Sequence, residues 1–149
     1  MDQYLVFGNP IKQSRSPIIH QLFANQTQQK LNYQSECVEF NEFSETIARC
    51  IKNGVKGANV TMPFKEQAMA LCNQLTERAE LAGAVNTLSF VNGKILGDNT
   101  DGQGLVQDLL NNNVQLKNSR ILLLGAGGAA KGVILPLLAQ QPETIVIAN

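Results

Sequence analysis

Lys65 and Asp101 are the two residues whose types best suit proton transfer, and each stands in a segment dense with hydrogen-bonding side chains. Reduction of a ketone to an alcohol needs a proton donor beside the carbon that accepts a hydride, and a lysine close to a carboxylate can serve. Four such segments occur: Ser14-Arg15-Ser16, Asn59 to Lys65, Asn86-Thr87 and Asp98 to Asp101. Their small hydroxyl and amide groups suit a ligand with several hydroxyls, each of which must be matched. A cationic lysine or arginine suits a ligand carboxylate. Taken singly, Lys65 reads equally well as a solvated helix lysine. Asp101 reads equally well as part of the helix cap offered by Asn99, Thr100 and Asp101. The pairing is what the chemistry wants, and the linear sequence alone does not bring the two together.

A second kind of chemistry is written at Gly125-Ala126-Gly127-Gly128-Ala129-Ala130, which fits G-x-G-x-x-G/A. It is flanked as a dinucleotide-binding turn requires. The aliphatic run Arg120 to Leu124 predicts a strand of the fully buried kind, Gly128 to Ala139 predicts a helix with a kink at Pro136, and Thr144 to Ala148 predicts the next strand. Gly125 would permit the tight turn, Gly127 would let the backbone approach a pyrophosphate, and the helix N-terminus would offer N–H groups to it. The alternative is a purely structural glycine turn. NAD-binding units place Asp or Glu at the end of the next strand to hold the ribose 2′-hydroxyl. Ala148 and Asn149 occupy that place here, which favours a 2′-phosphate and hence NADP.

The elements that must position these groups follow from hydrophobic periodicity and turn residues. Tyr4 to Phe7 is a buried strand closed by Gly8-Asn9-Pro10. Ser16 is expected as the cap of a helix with Pro17 at its first position, amphipathic because Ile18, Ile19, Leu22 and Phe23 follow at helical spacing. Tyr33 to Phe40 predicts a second strand. Asn41 is expected to cap a helix whose Phe43, Ile47, Cys50 and Ile51 share a face and which ends at Gly54. Gly57 to Val60 is a third strand, and Pro63 is expected to open a helix that turns Ala68, Leu71 and Cys72 inward. Glu77 to Ala82 is helical. Val85 to Val91 and Lys94 to Leu96 form a hairpin on Asn92-Gly93, and Asp101 to Leu110 is a helix. The fold class is therefore α/β: a mixed, mostly parallel sheet followed by the first βαβ of a Rossmann-type unit. The expected organisation is a substrate-binding and catalytic α/β domain over 1–100, a connecting helix and linker over 101–118, and an incomplete nucleotide-binding unit over 119–149.

Composition excludes several classes. Formal net charge is +0 and no run of Lys or Arg occurs, so nucleic acid is not an expected partner. Aromatic residues make up 5% with no Trp, too few for a base-stacking surface. The three cysteines, Cys37, Cys50 and Cys72, form no CxxC pair, and His20 is the single histidine, so no metal site is expected and the thiols read as reduced. No signal peptide and no membrane-length apolar stretch is read, so a cytoplasmic protein is expected.

The motifs carry a resemblance. Phe7-Gly8-Asn9-Pro10-Ile11 with Ser14-Arg15-Ser16-Pro17, Gly57 to Lys65, Ala82-Gly83-Ala84-Val85-Asn86-Thr87, Gly97 to Gly102 and Gly125 to Ala130 stand in one order along the whole chain. Together they resemble the shikimate dehydrogenase family, NADP-dependent reductases of 3-dehydroshikimate in aromatic amino-acid biosynthesis. The resemblance implies that Ser14, Ser16, Asn59, Thr61, Asn86 and Asp101 hold the hydroxyls and carboxylate of shikimate. It implies that Lys65, itself a substrate contact, transfers the proton beside Asp101. It implies that Gly125, Ala126, Gly127, Gly128 and Ala129 hold the NADP pyrophosphate. Asn149 would begin an Asn-Arg-Thr motif for the 2′-phosphate, and Glu77 would approach the cofactor from the first domain. One departure is Gln13-Ser14-Arg15, where the family usually shows His-Ser-Lys; both serines remain, so tuning rather than loss is expected. The other is length, since members run to roughly twice this chain. An N-terminal fragment weak or inactive alone is the expectation. The partners expected are the small-molecule substrate, no nucleic acid and no membrane, with a homodimer as the one protein assembly admitted. Neighbouring readings are a quinate/shikimate dehydrogenase, a non-catalytic shikimate-binding module, and a generic doubly wound reductase.

Overall fold

The computed structural model describes residues 1–149. The strands are β1 (Asp2–Gly8), β2 (Leu31–Cys37), β3 (Gly57–Val60), β4 (Gln74–Leu75), β5 (Thr87–Val91), β6 (Lys94–Asp98), β7 (Arg120–Leu124) and β8 (Thr144–Ala148). The helices are α1 (Ser16–Gln26), α2 (Phe43–Lys52), α3 (Lys65–Leu71), α4 (Glu77–Ala82), α5 (Asp101–Asn111) and α6 (Gly128–Leu138). Strands β1 to β6 form one sheet in the order β2-β1-β3-β5-β6-β4, and β7 pairs with β8 in parallel as a separate two-stranded sheet. Within the larger sheet β1 is parallel to both neighbours and β4 to β6, while β5 runs antiparallel to β3 and β6.

The antiparallel strand explains how four separated segments reach one place. The carboxyl ends of β1, β3 and β6 share an edge, and because β5 is reversed its amino end, Thr87, lies at that edge too. The register runs Val6↔Asn59, Asn59↔Thr87 and Thr87↔Asp98 across four strands. Asn92 and Gly93, at φ 51° and 73°, make the left-handed turn that lets β5 fold back on β6.

One face of the sheet carries the main core. Phe7, Ala58, Val60, Leu88 and Ile95 from the strands meet Phe43, Ile47 and Cys50 of α2, Ala68 of α3 and Ala79 of α4. Phe7 meets Phe43 edge-on at 5.9 Å, and Phe43 stacks on Phe64 at 4.7 Å. Aromatic pairs in these geometries add to the burial of their area. They fix Phe64, fully buried, immediately before Lys65. On the opposite face α1 packs against β2, and Val6, Ile11 and Tyr33 form a small core. A third core joins Val106 of α5, Leu116 and Leu137 of α6, with Ile121 and Ile145 packed against it.

Several expectations are corrected. Ser16 is the first helical residue of α1 rather than its cap; Arg15 takes the cap position without a side-chain bond, and Pro17 follows one place later. The apolar side chains of α1 do not bury. Ile18, Ile19, Leu22 and Phe23 are exposed and only Ala24 is enclosed, because α1 packs chiefly on the edge strand β2. Glu42, not Asn41, precedes α2, and β2 ends at Cys37 rather than Phe40. Pro63 stays in the turn before α3, which makes Lys65 the first residue of that helix. Strand β4, two residues long, was not anticipated. Strand β7 is not the fully buried strand its composition suggests: Leu122 and Leu124 are 61% and 80% exposed. With a single neighbour, β8, and helices on one face, the alternate side chains of β7 have nothing to cover them.

Candidate active site

Seven of the residues singled out from the sequence line one cavity of about 450 Å³: Ser14, Ser16, Asn59, Thr61, Lys65, Asn86 and Asp101. Val6, Ile11, Gln13, Ile19, His20 and Val60 complete its walls. Gly8 keeps one wall tight, since a Cβ there would lie 2.6 Å from the Thr61 methyl and 2.8 Å from Ile11. The Ser14 hydroxyl accepts from the backbone N–H of Ser16 at 3.3 Å, a local bond that shapes the entry into α1.

Lys65 Nζ donates to Asp101 Oδ2 at 2.5 Å, and both side chains remain partly open, at 30% and 38% exposure. The first residues of α3 and α5 thus meet at the cavity. The backbone carries the same closure, because the Val85 N–H donates to the Lys65 carbonyl at 3.0 Å and the Asn86 N–H to the Asp98 carbonyl at 3.0 Å. An ammonium that spends one donor on a carboxylate keeps two for a ligand oxygen.

Asn86, buried at 8% exposure, organises the carboxylate. Its Nδ2 donates to Asp101 Oδ1 at 2.7 Å and to Thr100 Oγ1 at 3.0 Å. Its Oδ1 accepts from the Thr100 N–H at 3.0 Å and the Thr87 hydroxyl at 2.8 Å. Asn59 donates through Nδ2 to Thr87 Oγ1 at 3.2 Å and accepts at Oδ1 from the Tyr33 hydroxyl at 2.6 Å. Asn99, also buried, donates to the Ala84 carbonyl at 3.1 Å and accepts from the Asp101 N–H at 3.2 Å.

Asp98 anchors the Asp98–Asp101 turn from outside the cavity. Its carboxylate accepts from the Thr76 hydroxyl at 2.6 Å, from Arg78 through Nε at 2.6 Å and through Nη2, and from the Asn99 N–H at 2.8 Å. The Arg78 hydrogen bonds pull the Asp98 pKa down to about 2; burial opposes them and the Thr76 bond assists. Thr76 also caps α4, accepting from the Ala79 N–H. Tyr33, Thr76 and Arg78 were not anticipated, because no local pattern marks a hydrogen bond to a residue twenty or more positions away. Thr87, Asn99 and Thr100 stood in noted segments without assigned parts in this network.

The glycine turn lies apart from that cavity. Gly125 has φ 99°, which favours glycine, and its N–H donates to the Ala148 carbonyl at 2.6 Å, next to Asn149. Nothing lies within 4 Å of where a Cβ would stand at Gly127 or Gly128, and α6 begins there without a side-chain cap. The turn therefore has open room for a ligand to reach backbone N–H groups at a helix N-terminus, which suits a phosphate. Ala126, Gly127, Gly128, Ala129 and Asn149 are exposed. Glu77, exposed as the first residue of α4, does not line the cavity. Helices α5 and α6 join the two regions closely: a Cβ on Gly102 would overlap the Gly132 carbonyl oxygen, so the residue after Asp101 touches the backbone of α6.

Comparison with known proteins gives four matches. The sequence model of the shikimate dehydrogenase substrate binding domain matches residues 6–88. The shikimate dehydrogenase (NADP(+)) of Colwellia psychrerythraea is 66% identical over 148 residues, which are 99% of this chain and 54% of that protein. Among solved structures, an Ael1 enzyme from Pseudomonas putida superposes with a TM-score of 0.97 at 43% identity, over 100% of this chain and 55% of its own. A shikimate 5-dehydrogenase from Thermus thermophilus, in complex with NADP(H) and shikimate, gives 0.91 at 29% identity, over 99% and 55%. The chain spans about half the length of the curated relatives it matches.

Proposed function

The chain belongs to the shikimate dehydrogenase family, and from that premise we propose that it forms the substrate-holding and catalytic part of a reductase that converts 3-dehydroshikimate to shikimate with NADPH. The observation that carries the reading is the Lys65–Asp101 pair at 2.5 Å, set in a cavity that Ser14, Ser16, Asn59, Thr61 and Asn86 line together with Val6, Ile11, Ile19 and Val60. The organisation we propose is a catalytic domain over 1–100, a connection over 101–118 and the start of the nucleotide unit from 119. Helix α5 supports it by serving both sides, with Asp101 in the cavity and Val106 in the core shared with α6. The proposed place of the enzyme is the cytoplasm, as a step of aromatic amino-acid biosynthesis.

In this reading Ser14, Ser16, Asn59, Thr61 and Asn86, which line the cavity, match the substrate's polar groups. The Lys65 ammonium donates a proton to the ketone oxygen as that oxygen becomes the alcohol. Asp101, held by Asn86, keeps the ammonium in place. In the reverse direction the same amine, neutral, takes the alcohol proton. Gly125 to Ala129 would hold the NADP pyrophosphate at the start of α6, and Asn149 and Glu77 would approach the nucleotide. When bound, the cofactor would supply the hydride to the ketone carbon.

The test is a steady-state assay of the full-length protein with 3-dehydroshikimate and NADPH, repeated with NADH and, in reverse, with shikimate and quinate. The reading expects turnover that prefers NADPH and shikimate. Shikimate binding without turnover would replace it with a non-catalytic binding module, and comparable rates with quinate would replace it with a quinate/shikimate dehydrogenase.

A further inference from the structure

Tyr33 sits on β2, one of the two edge strands of the larger sheet, and does not line the cavity of the proposed active site. Its ring is buried and lies flat against His20, with centroids 4.0 Å apart and planes within 4°. Its hydroxyl nevertheless begins an unbroken series of side-chain hydrogen bonds that ends on Asp101. Tyr33 donates to Asn59, Asn59 to Thr87, Thr87 to Asn86, and Asn86 to Asp101, at 2.6, 3.2, 2.8 and 2.7 Å.

The direction of this series is set by the backbone. The Thr100 N–H can only donate, and it points at Asn86 Oδ1, so Asn86 Nδ2 must face the Asp101 carboxylate. The Asn86 carbonyl can only accept, and Asn59 Nδ2 points at it from 3.4 Å, so Asn59 Oδ1 must face Tyr33. Thr87 then spends its one proton on Asn86 and receives from Asn59. Every donor and acceptor has one consistent sense, and the last remaining slot, at Asn59 Oδ1, requires a donor. Burial favours the neutral phenol by raising its pKa, so Tyr33 supplies that donor at any ordinary pH.

We propose that Tyr33 is a positioning residue for the catalytic pair: its hydroxyl locks the Asn59 amide and, through Thr87 and Asn86, the orientation of the Asp101 carboxylate that holds Lys65. The inference rests on the function proposed above. His20 holds the ring in place by stacking. Asn59 is the one link that faces both the cavity and Tyr33, so losing the phenol hydroxyl frees an amide that meets the ligand and loosens the carboxylate beyond it.

The experiment uses the full-length protein and compares wild type, Tyr33→Phe, Thr87→Val, Thr87→Ser and the double variant Tyr33→Phe/Thr87→Val. Tyr33→Phe keeps the ring and its stack and removes the hydroxyl, which also lies beside Ser16. It is expected to lower kcat/KM for shikimate about tenfold, the effect of one hydrogen bond, with KM for NADP unchanged. Thr87→Ser is expected to match wild type, and Thr87→Val to lower kcat. In the Thr87→Val background Tyr33→Phe should lower kcat by a smaller factor than alone, because the link to Asp101 is already cut. Equal factors in both backgrounds, or a Tyr33→Phe protein with lowered melting temperature and unchanged kcat and KM, would overturn the proposal. If Tyr33→Phe does not fold, Thr87→Val with wild-type kcat overturns it and a lowered kcat restored by serine supports it. A wild-type protein without turnover would instead sink the proposed function itself.

Discussion

Asn86 donates through Nδ2 to Oδ1 of Asp101 at 2.7 Å, while Lys65 takes the other oxygen of the same carboxylate. The carboxylate is therefore held from two sides by groups on different elements, one beside β5 and one on α3. Asn86→Ala would leave Thr100 N–H without its acceptor as well as releasing Asp101. Its expected effect in the full-length protein is a loss of kcat of about tenfold or more together with about 1–3 kcal/mol of stability. Kinetics and urea unfolding of one preparation check both; unchanged stability would show that the Thr100 bond contributes nothing.

Gly102 lets α5 and α6 approach, and a methyl there meets the backbone of Gly132 and the ring of Pro136. Backbone cannot yield as a flexible side chain does, so Gly102→Ala is expected to cost about 1–3 kcal/mol. Gly104, two positions on and open to solvent, is the control, and Gly104→Ala should be neutral or slightly stabilising. Thermal unfolding of the two variants distinguishes them, and equal melting temperatures would contradict the tight helix contact.

Much of this architecture is legible in the residues. Strands β1 and β3 end at Gly8 and just before Thr61 because glycine, proline and small polar residues interrupt short apolar runs. The β5–β6 hairpin is announced by Asn92-Gly93. Gly83, at φ 64°, closes α4 where the sequence ends that helix, after Ala82. The caps of α1 and α2 slipped by one residue, since Ser16 and Asn41 are good cap types that do not hold the cap position. The exposure of Phe23 and Leu22 could not be read, because periodicity reports that a helix has an apolar face and not whether anything covers it. The same holds for Leu122 and Leu124 on β7. Of the cavity residues, Ser14 to Asp101 were found through their motifs, whereas Tyr33 and Thr76 act through partners 26 and 22 positions away and leave no mark in their own neighbourhood.

Asp98 makes stability depend on pH. Its pKa in the folded protein is about 2, below the ordinary value of 3.8, chiefly through its hydrogen bonds with Arg78. A lowered carboxylate pKa contributes stability that is fully present above the unfolded value and is lost as pH falls through the folded one. The difference in urea midpoint between wild type and Asp98→Asn should therefore be largest above about pH 4 and shrink toward pH 2. A difference that stays constant across that interval would rule out the ionised carboxylate as its source.

His20 is the single histidine, so its titration can be followed alone. Burial against Tyr33 lowers its pKa below the usual 6.5. The stabilisation this implies is present above 6.5 and declines as pH falls through the lowered value. Proton NMR of the imidazole should give a midpoint below 6.5 in wild type and one closer to 6.5 in Tyr33→Ala, where the stacking ring is gone. A wild-type midpoint at or above 6.5 would contradict the buried stack.

The 149-residue chain carries the glycine turn on a sheet of two strands, with apolar side chains of β7 and β8 open to water. A nucleotide site normally draws on more of a parallel sheet than this. Calorimetric titration of this chain is expected to show NADP binding much weaker than that of the Colwellia psychrerythraea relative, of whose length it covers 54%, while shikimate, whose proposed contacts lie within residues 14–101, should still bind. Equal NADP affinity in the two proteins would show that the two-stranded unit suffices.

In the function proposed above, Lys65, held by Asp101, moves the proton of the ketone reduction. The most direct measurement is kcat and KM for 3-dehydroshikimate with NADPH in full-length wild type and Lys65→Ala. Loss of a general acid predicts a fall in kcat of at least about a hundredfold with KM changed only a few-fold. A Lys65→Ala protein that retains wild-type kcat, or that loses only binding, would contradict it.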